Sequence, residues 1–227
     1  MSSGQGDQRQ GMTRPWHLLA LALAGAAALI GLDIWTQGFG SGLVRETGGI
    51  EMASALLYAY AAITWLWTRP GDSWKTSWEL PAIMFLMMGR ELDLDKKLTS
   101  IGVLRSDLYL TDMAPIMERI FGVIALVFVA IVAFRVIASN GRPFIDGLRR
   151  WKAWAWALVV GIGFAVLSKS VDGIGRKLAP FGITLEQHTS LLMVILEELL
   201  ELGVPVMFIV AVIASIRFAD PTSNPRK

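Results

Sequence analysis

Five stretches of the chain, over residues 16–36, 50–68, 119–138, 151–169 and 190–217, are each apolar for the length that a helix needs to cross a membrane. The hydrocarbon layer is ~30 Å thick, so about 20 apolar residues suffice. In lipid every backbone N–H and C=O must find its partner inside the protein, which leaves helices and closed barrels as the spanning forms. The apolar residues here run in blocks rather than at a period of two. The expectation is therefore an all-α fold, a polytopic membrane helix bundle. Composition agrees, with 18% charged residues against ~25% in a typical soluble domain. Arg9 and Arg14 precede the first apolar run as they would in a signal peptide, but the run continues to Asp33 and Trp35. A retained first helix is expected.

A sixth segment, "SWELPAIMFLMMGRELDLDKKLT", carries charges in its last third. Thr76 with Glu79 three residues on reads as a capping box, and Pro81 suits the first turn. Counting about 20 residues from Trp78 ends the helix near Lys97. The segment reads as a full span over 78–97 with a charged outer end, in preference to a short half-buried helix. Six spans put both termini on one side. With the N-terminus inside, 12 of the 21 basic residues fall on the cytoplasmic side, as do Trp65, Trp67, Trp74, Trp78, Trp151, Trp154 and Trp156, the pattern of a positive-inside loop set with an aromatic belt. The expected organisation is N-in/C-in, with a cytoplasmic tail over 1–15, a six-helix transmembrane domain over 16–217 and a second cytoplasmic tail over 218–227. The chain is read as a protein of the bacterial cytoplasmic (inner) membrane.

That orientation sorts the carboxylates, because 14 of the 19 acids lie in the outer half or beyond it. The last span holds three of them in "MVILEELLELGVPVMFIVAVIA". A second capping box, Thr184 with Gln187, is expected to start that helix. Counting back from Arg217 puts Glu197 and Glu198 near the outer edge of the hydrocarbon and Glu201 about one turn deeper. Glu197 and Glu201 share a face at i, i+4 and would repel, so one must be protonated or both must meet a cation. Pro205 cannot donate a backbone N–H to the carbonyl of Glu201, which leaves a polar notch beside the carboxylate. Arg90 is the best partner for Glu201, because it is the basic residue most embedded in apolar sequence and can pair a carboxylate with two prongs. Lys169, Arg176, Lys96 and Lys97 are the alternatives. With Glu91, Asp93, Glu51 and Asp172 these residues predict a charged crater open to the extracytoplasmic side.

Other chemistries lack their residues. The chain has no cysteine and two histidines, His17 and His188, which the topology places on opposite sides. Ser54 and Ser168 have neither a neighbouring histidine nor a nucleophile-elbow sequence. The zinc-dependent intramembrane hydrolases of the alkaline ceramidase type need several histidines and are not matched. Nothing resembles a nucleic-acid surface. Three functions remain open. The crater binds or transports a cation or a small polar or zwitterionic solute; or the chain is an accessory or assembly subunit docked through its outer charges; or it is a membrane enzyme acting on a lipid or isoprenoid. In the last case Glu197, Glu201 and Glu91 would hold a divalent Mg, Mn or Ca ion, oxygen ligands disfavouring Zn. The expected partners are the lipid bilayer and, for so small a bundle, a homodimer or a larger membrane complex.

Overall fold

The computed structural model describes residues 6–38, 48–68, 77–111 and 114–217, and all regular structure among them is helical. In chain order the elements are α1 (Gly6–Gln37), α2 (Gly49–Thr68), α3 (Glu79–Glu91), α4 (Leu94–Leu98), α5 (Asp107–Leu110), α6 (Ile116–Arg149), α7 (Ala153–Val171), α8 (Ile174–Leu178), a 3-10 turn at Ala179–Phe181, and α9 (Gln187–Arg217). Five of these, α1, α2, α6, α7 and α9, are long and apolar enough to cross a membrane. A chain built on five such helices is a multi-pass membrane protein. The outward apolar surface fits that solvent: Ile124, Phe134 and Ile137 on α6 are more than half exposed, an arrangement that water would penalise and lipid does not.

The segment expected over 78–97 is not one helix. The ladder of α3 closes at Glu91, where the Leu92 and Asp93 amides donate to the carbonyls of Met88 and Arg90. Asp93 then takes a left-handed conformation, φ 49°, which Asp tolerates better than most residues. Its carboxylate turns to Lys96 at 2.9 Å, and α4 restarts at Leu94. The 13 residues of α3 span about 20 Å, less than the hydrocarbon thickness. Three other boundaries also differ. α6 does not turn after residue 138 but continues through Pro143 to Arg149. Asn140 in this extension is held by Glu79, and Phe144 packs on Trp154 with ring centroids 6.4 Å apart. α9 begins at Gln187, so Thr184 lies ahead of the helix rather than at its cap. The expected N-terminal tail is helical from Gly6. Thr76, Trp74, the acids Glu46 and Asp112, the bases Arg69 and Lys75, and the tail 218–227 lie outside the described residues.

Packing centres on α2 and α9. The core joins Leu19 and Ala26 of α1, Ala53, Leu57, Ala61 and Trp65 of α2, Met84 of α3, and Ile209, Val212 and Ile213 of α9. Small residues let these backbones approach closely, the usual device of membrane helices. The broadest contact is between α7 and α9. Asp33 ties α1 to α2 by accepting the Gly49 amide at 2.8 Å, so it serves as a cap supplied by a neighbouring helix. The connection between α4 and α6 is folded down onto α6. Ser100 donates from both its amide and its hydroxyl to Glu118 at 2.7 Å, and Arg119 donates to the carbonyls of Thr111 and Ala114.

At the other end of α3 lies a second buried carboxylate. Glu79 is fully buried. It accepts from Asn140 Nδ2 at 3.2 Å and faces Arg135 Nε at 3.7 Å, an ion pair too long for a hydrogen bond. The Arg135 guanidinium also lies 5.5 Å from the centre of the Trp78 ring. Arg135 is 40% exposed and its long side chain can snorkel toward the membrane surface, whereas the buried Glu79 cannot. Removing the arginine is therefore the more costly half of the pair. Arg135→Leu is expected to lower unfolding stability in detergent by about 1 kcal/mol more than Glu79→Leu does. Thermal unfolding of the two variants checks this, and equal or reversed losses would contradict it.

Candidate functional site

The C-terminal end of α3 meets the first half of α9, the start of α2 and the end of α7. Arg90 is the link. Its Nη1 donates to Glu91 Oε1 at 2.9 Å and its Nη2 to Glu201 Oε1 at 3.0 Å. The same Glu201 oxygen accepts the Ser168 hydroxyl at 2.9 Å, and Lys169 Nζ stands 3.6 Å away. Three donor groups from α3 and α7 thus converge on one oxygen of α9. The local sequence explains the convergence: α3 keeps its helical ladder until Glu91, which aims adjacent Arg90 and Glu91 side chains into the bundle. Ser168 and Lys169 sit in the last turn of α7, directly across its long contact with α9.

Lys169 also binds Asp172 Oδ2 at 3.0 Å, and Arg176 lies 3.9 Å from the other Asp172 oxygen. The Lys169 ammonium holds the Asp172 carboxyl below the usual aspartate range by favouring its charged form. Lys177 donates to the Lys169 carbonyl at 2.9 Å, so the end of α7 and α8 form one charged rim.

Beside Glu201 is a cavity of about 170 Å³. Arg90, Lys169, Glu201 and Tyr58 supply its polar lining, and Met87, Ala165 and Val204 its apolar lining. Exposure grades across it: the Lys169 and Arg90 side chains are 58% and 45% exposed and Glu201 15%, while Tyr58 is 1% exposed. The cations mark the mouth and the tyrosine the floor.

The structure treats the other expected residues unequally. Glu51 is within electrostatic reach of Glu91 and Glu198, which places the start of α2 at the same rim. Glu197 and Glu198 lie one turn above Glu201, and among the described residues neither has a cation within 4 Å. Asp93 belongs to the helix break and pairs with Lys96, away from Glu201. Glu197, Glu201 and Glu91 are not gathered as ligands for a divalent ion: no three acidic or imidazole groups come together for a metal among the described residues. The reason is geometric, because Glu201 turns to Arg90 and Ser168 while Glu197, a turn above, has no such partner. Carboxylates still outnumber cations here, with Glu51, Glu91, Glu197, Glu198, Glu201 and Asp172 against Arg90, Lys169, Arg176 and Lys177.

Sequence reasoning missed Tyr58 and the part taken by Ser168. A signal existed for the first: Tyr58 lies seven residues after Glu51, two helical turns on the same face of α2. Ser168 is legible only once α7 is known to pack along α9. Searches against protein-family models, curated proteins and solved structures find no match.

Proposed function

We propose that the chain is a six-span protein of the bacterial inner membrane, N-in/C-in, whose outward-facing pocket around Glu201 binds or transports a cation or a small polar or zwitterionic solute. The observation that carries this reading is the convergence of Arg90, Ser168 and Lys169 on one Glu201 oxygen at the wall of a cavity within an apolar bundle. Ionisable groups are costly in such a position and mark solute pathways when they line a cavity. The surplus of carboxylates favours a ligand that brings positive charge. The sixth span in this reading is α3. Its short length is offset by polar anchoring at both ends, with Glu79 at the level of Arg135 and Asn140 and Arg90 at the level of Glu201.

The test is native mass spectrometry of the protein released gently from its own membrane, beside Glu201→Gln. A retained ion or small molecule on the wild type that is absent from the variant is expected. An unchanged ligand-free mass in both would remove the basis for the proposal.

A second reading, an accessory subunit, draws on one observation: Leu104, Leu110 and Phe181, in the connections at the crater end, are each about 80% exposed. It predicts that a partner polypeptide accompanies the wild type and Glu201→Gln equally. The lipid-directed metalloenzyme has no comparable support in the arrangement of the acids.

A further inference from the structure

Resting on the solute-binding reading of the Glu201 pocket, we infer that its ligand is a small zwitterion of the amino-acid type, its ammonium held by Glu201 and Tyr58 and its carboxylate by Arg90 and Lys169. Tyr58 is 99% buried by its exposure of 1% and lines the cavity. Among the described residues nothing hydrogen-bonds its hydroxyl. The hydroxyl oxygen itself is not sealed off, so this phenol turns its one hydrogen-bonding group to the cavity, where a ligand group can meet it. Glu201 is in a matching state. Its Oε1 takes all the donors described above, and Oε2 has no partner among the described residues. The cavity therefore offers one free carboxylate oxygen and one free phenol at its inner end.

The mouth has the opposite character. Arg90 spends one N–H on Glu91 and one on Glu201, which leaves three of the five guanidinium donors for a ligand. The Lys169 ammonium has a third N–H beyond its two carboxylate neighbours. Both signs of charge thus face a single small space. A bare metal ion would meet two cations and too few oxygens, and a simple anion would meet the surrounding acids. A zwitterion satisfies both ends. Met87, Ala165 and Val204 leave room for a small apolar side chain, because about 170 Å³ is near the ~150 Å³ that holds one benzene and well below the ~300 Å³ at which drug-sized pockets begin.

Isothermal titration of the wild-type protein in lipid nanodiscs with alanine, ethylamine and propionate separates the two halves of the site. Alanine carries both charges, and each of the others carries one. Alanine is expected to bind roughly tenfold to hundredfold more tightly than either fragment, the worth of one charge-assisted hydrogen-bonded end. Tyr58→Phe, which keeps the ring, should weaken alanine by about fivefold to tenfold and leave propionate unchanged. Ethylamine binding as tightly as alanine would overturn the zwitterion and leave a cation site at Glu201. So would retention of an inorganic ion, lost in Glu201→Gln, by a protein that ignores all three probes. Alanine binding that survives Glu201→Gln undiminished would overturn the inference together with the reading beneath it.

Discussion

Arg90→Gln is expected to destabilise the protein by about 2–4 kcal/mol, and changing the acids with it should recover most of that loss. The arginine is the shared partner of Glu91 and Glu201, whose side chains are 4% and 15% exposed. Without it two carboxylates remain in one poorly hydrated space, and breaking a buried pair on one side typically costs about 3–5 kcal/mol. The lower range follows from the 45% exposure of Arg90 itself, since part of its charge is already solvated. Lys169 cannot replace it, because at 3.6 Å from Glu201 it is already committed to Asp172 at 3.0 Å. The triple variant Arg90→Gln, Glu91→Gln, Glu201→Gln removes the stranded charges and leaves amides that can hydrogen-bond one another. Thermal unfolding in detergent should show a large drop for the single variant and a small one for the triple. A single-variant loss under about 0.5 kcal/mol, the range of an ordinary surface change, would mean that Arg90 is a solvated rim residue.

The second large effect is at Gly203. A Cβ at this position would lie 2.6 Å from Phe164 Cδ2 and 3.0 Å from Cε2, closer than van der Waals contact permits. α7 and α9 make the broadest contact in the bundle, and Gly203 lies two residues from Glu201 and two from Pro205. Gly203→Val must therefore push Phe164 aside or part the helices, at about 1–3 kcal/mol for an overpacked interface. It should also weaken ligand binding, because Ser168 and Glu201 face each other across the same contact. Gly163→Ala is the matched control. Nothing lies within 4 Å of a Cβ there, and alanine is the better helix former by up to ~1 kcal/mol. Gly163→Ala should leave stability unchanged or slightly raised. Equal losses at the two glycines would contradict the close approach of α7 and α9.

Much of this architecture is legible in the sequence, for a physical reason. An apolar run of some 20 residues can hardly be satisfied except by lipid or a core, so α2, α7 and α9 lie close to where hydropathy puts them, as does the C-terminal end of α1. The meeting of Arg90 and Glu201 is also legible, since each is a costly charge in apolar surroundings and needs the other. The boundaries set by tertiary contacts are not. Ser139, Asn140, Gly141 and Pro143 form a strong local turn signal, yet α6 continues through them, with Asn140 bound to Glu79 and Phe144 packed on Trp154. The break at Asp93 is hidden in the same way, because one residue chooses a left-handed conformation beside Lys96. Glu79 reads as part of a capping box and proves to be fully buried. Tyr58 reads as packing, because nothing in a sequence says that a phenol inside an apolar helix opens on a cavity.

The chain has no cysteine, so single cysteines can be placed without background, and this permits the most direct measurement. Ala165 lines the cavity, while its neighbour Val166 is 60% exposed on the apolar outside of α7. The two lie at nearly equal depth, about 1.5 Å apart along the helix. A membrane-impermeant thiol reagent is added from the extracytoplasmic side alone to Ala165→Cys and Val166→Cys. The account predicts that the first is labelled, because a water-filled pocket supports the thiolate that reacts, and that the second, in hydrocarbon, is not. Equal labelling of both, labelling of neither, or labelling of Ala165→Cys only from the cytoplasmic side would contradict an outward-open charged pocket at Glu201.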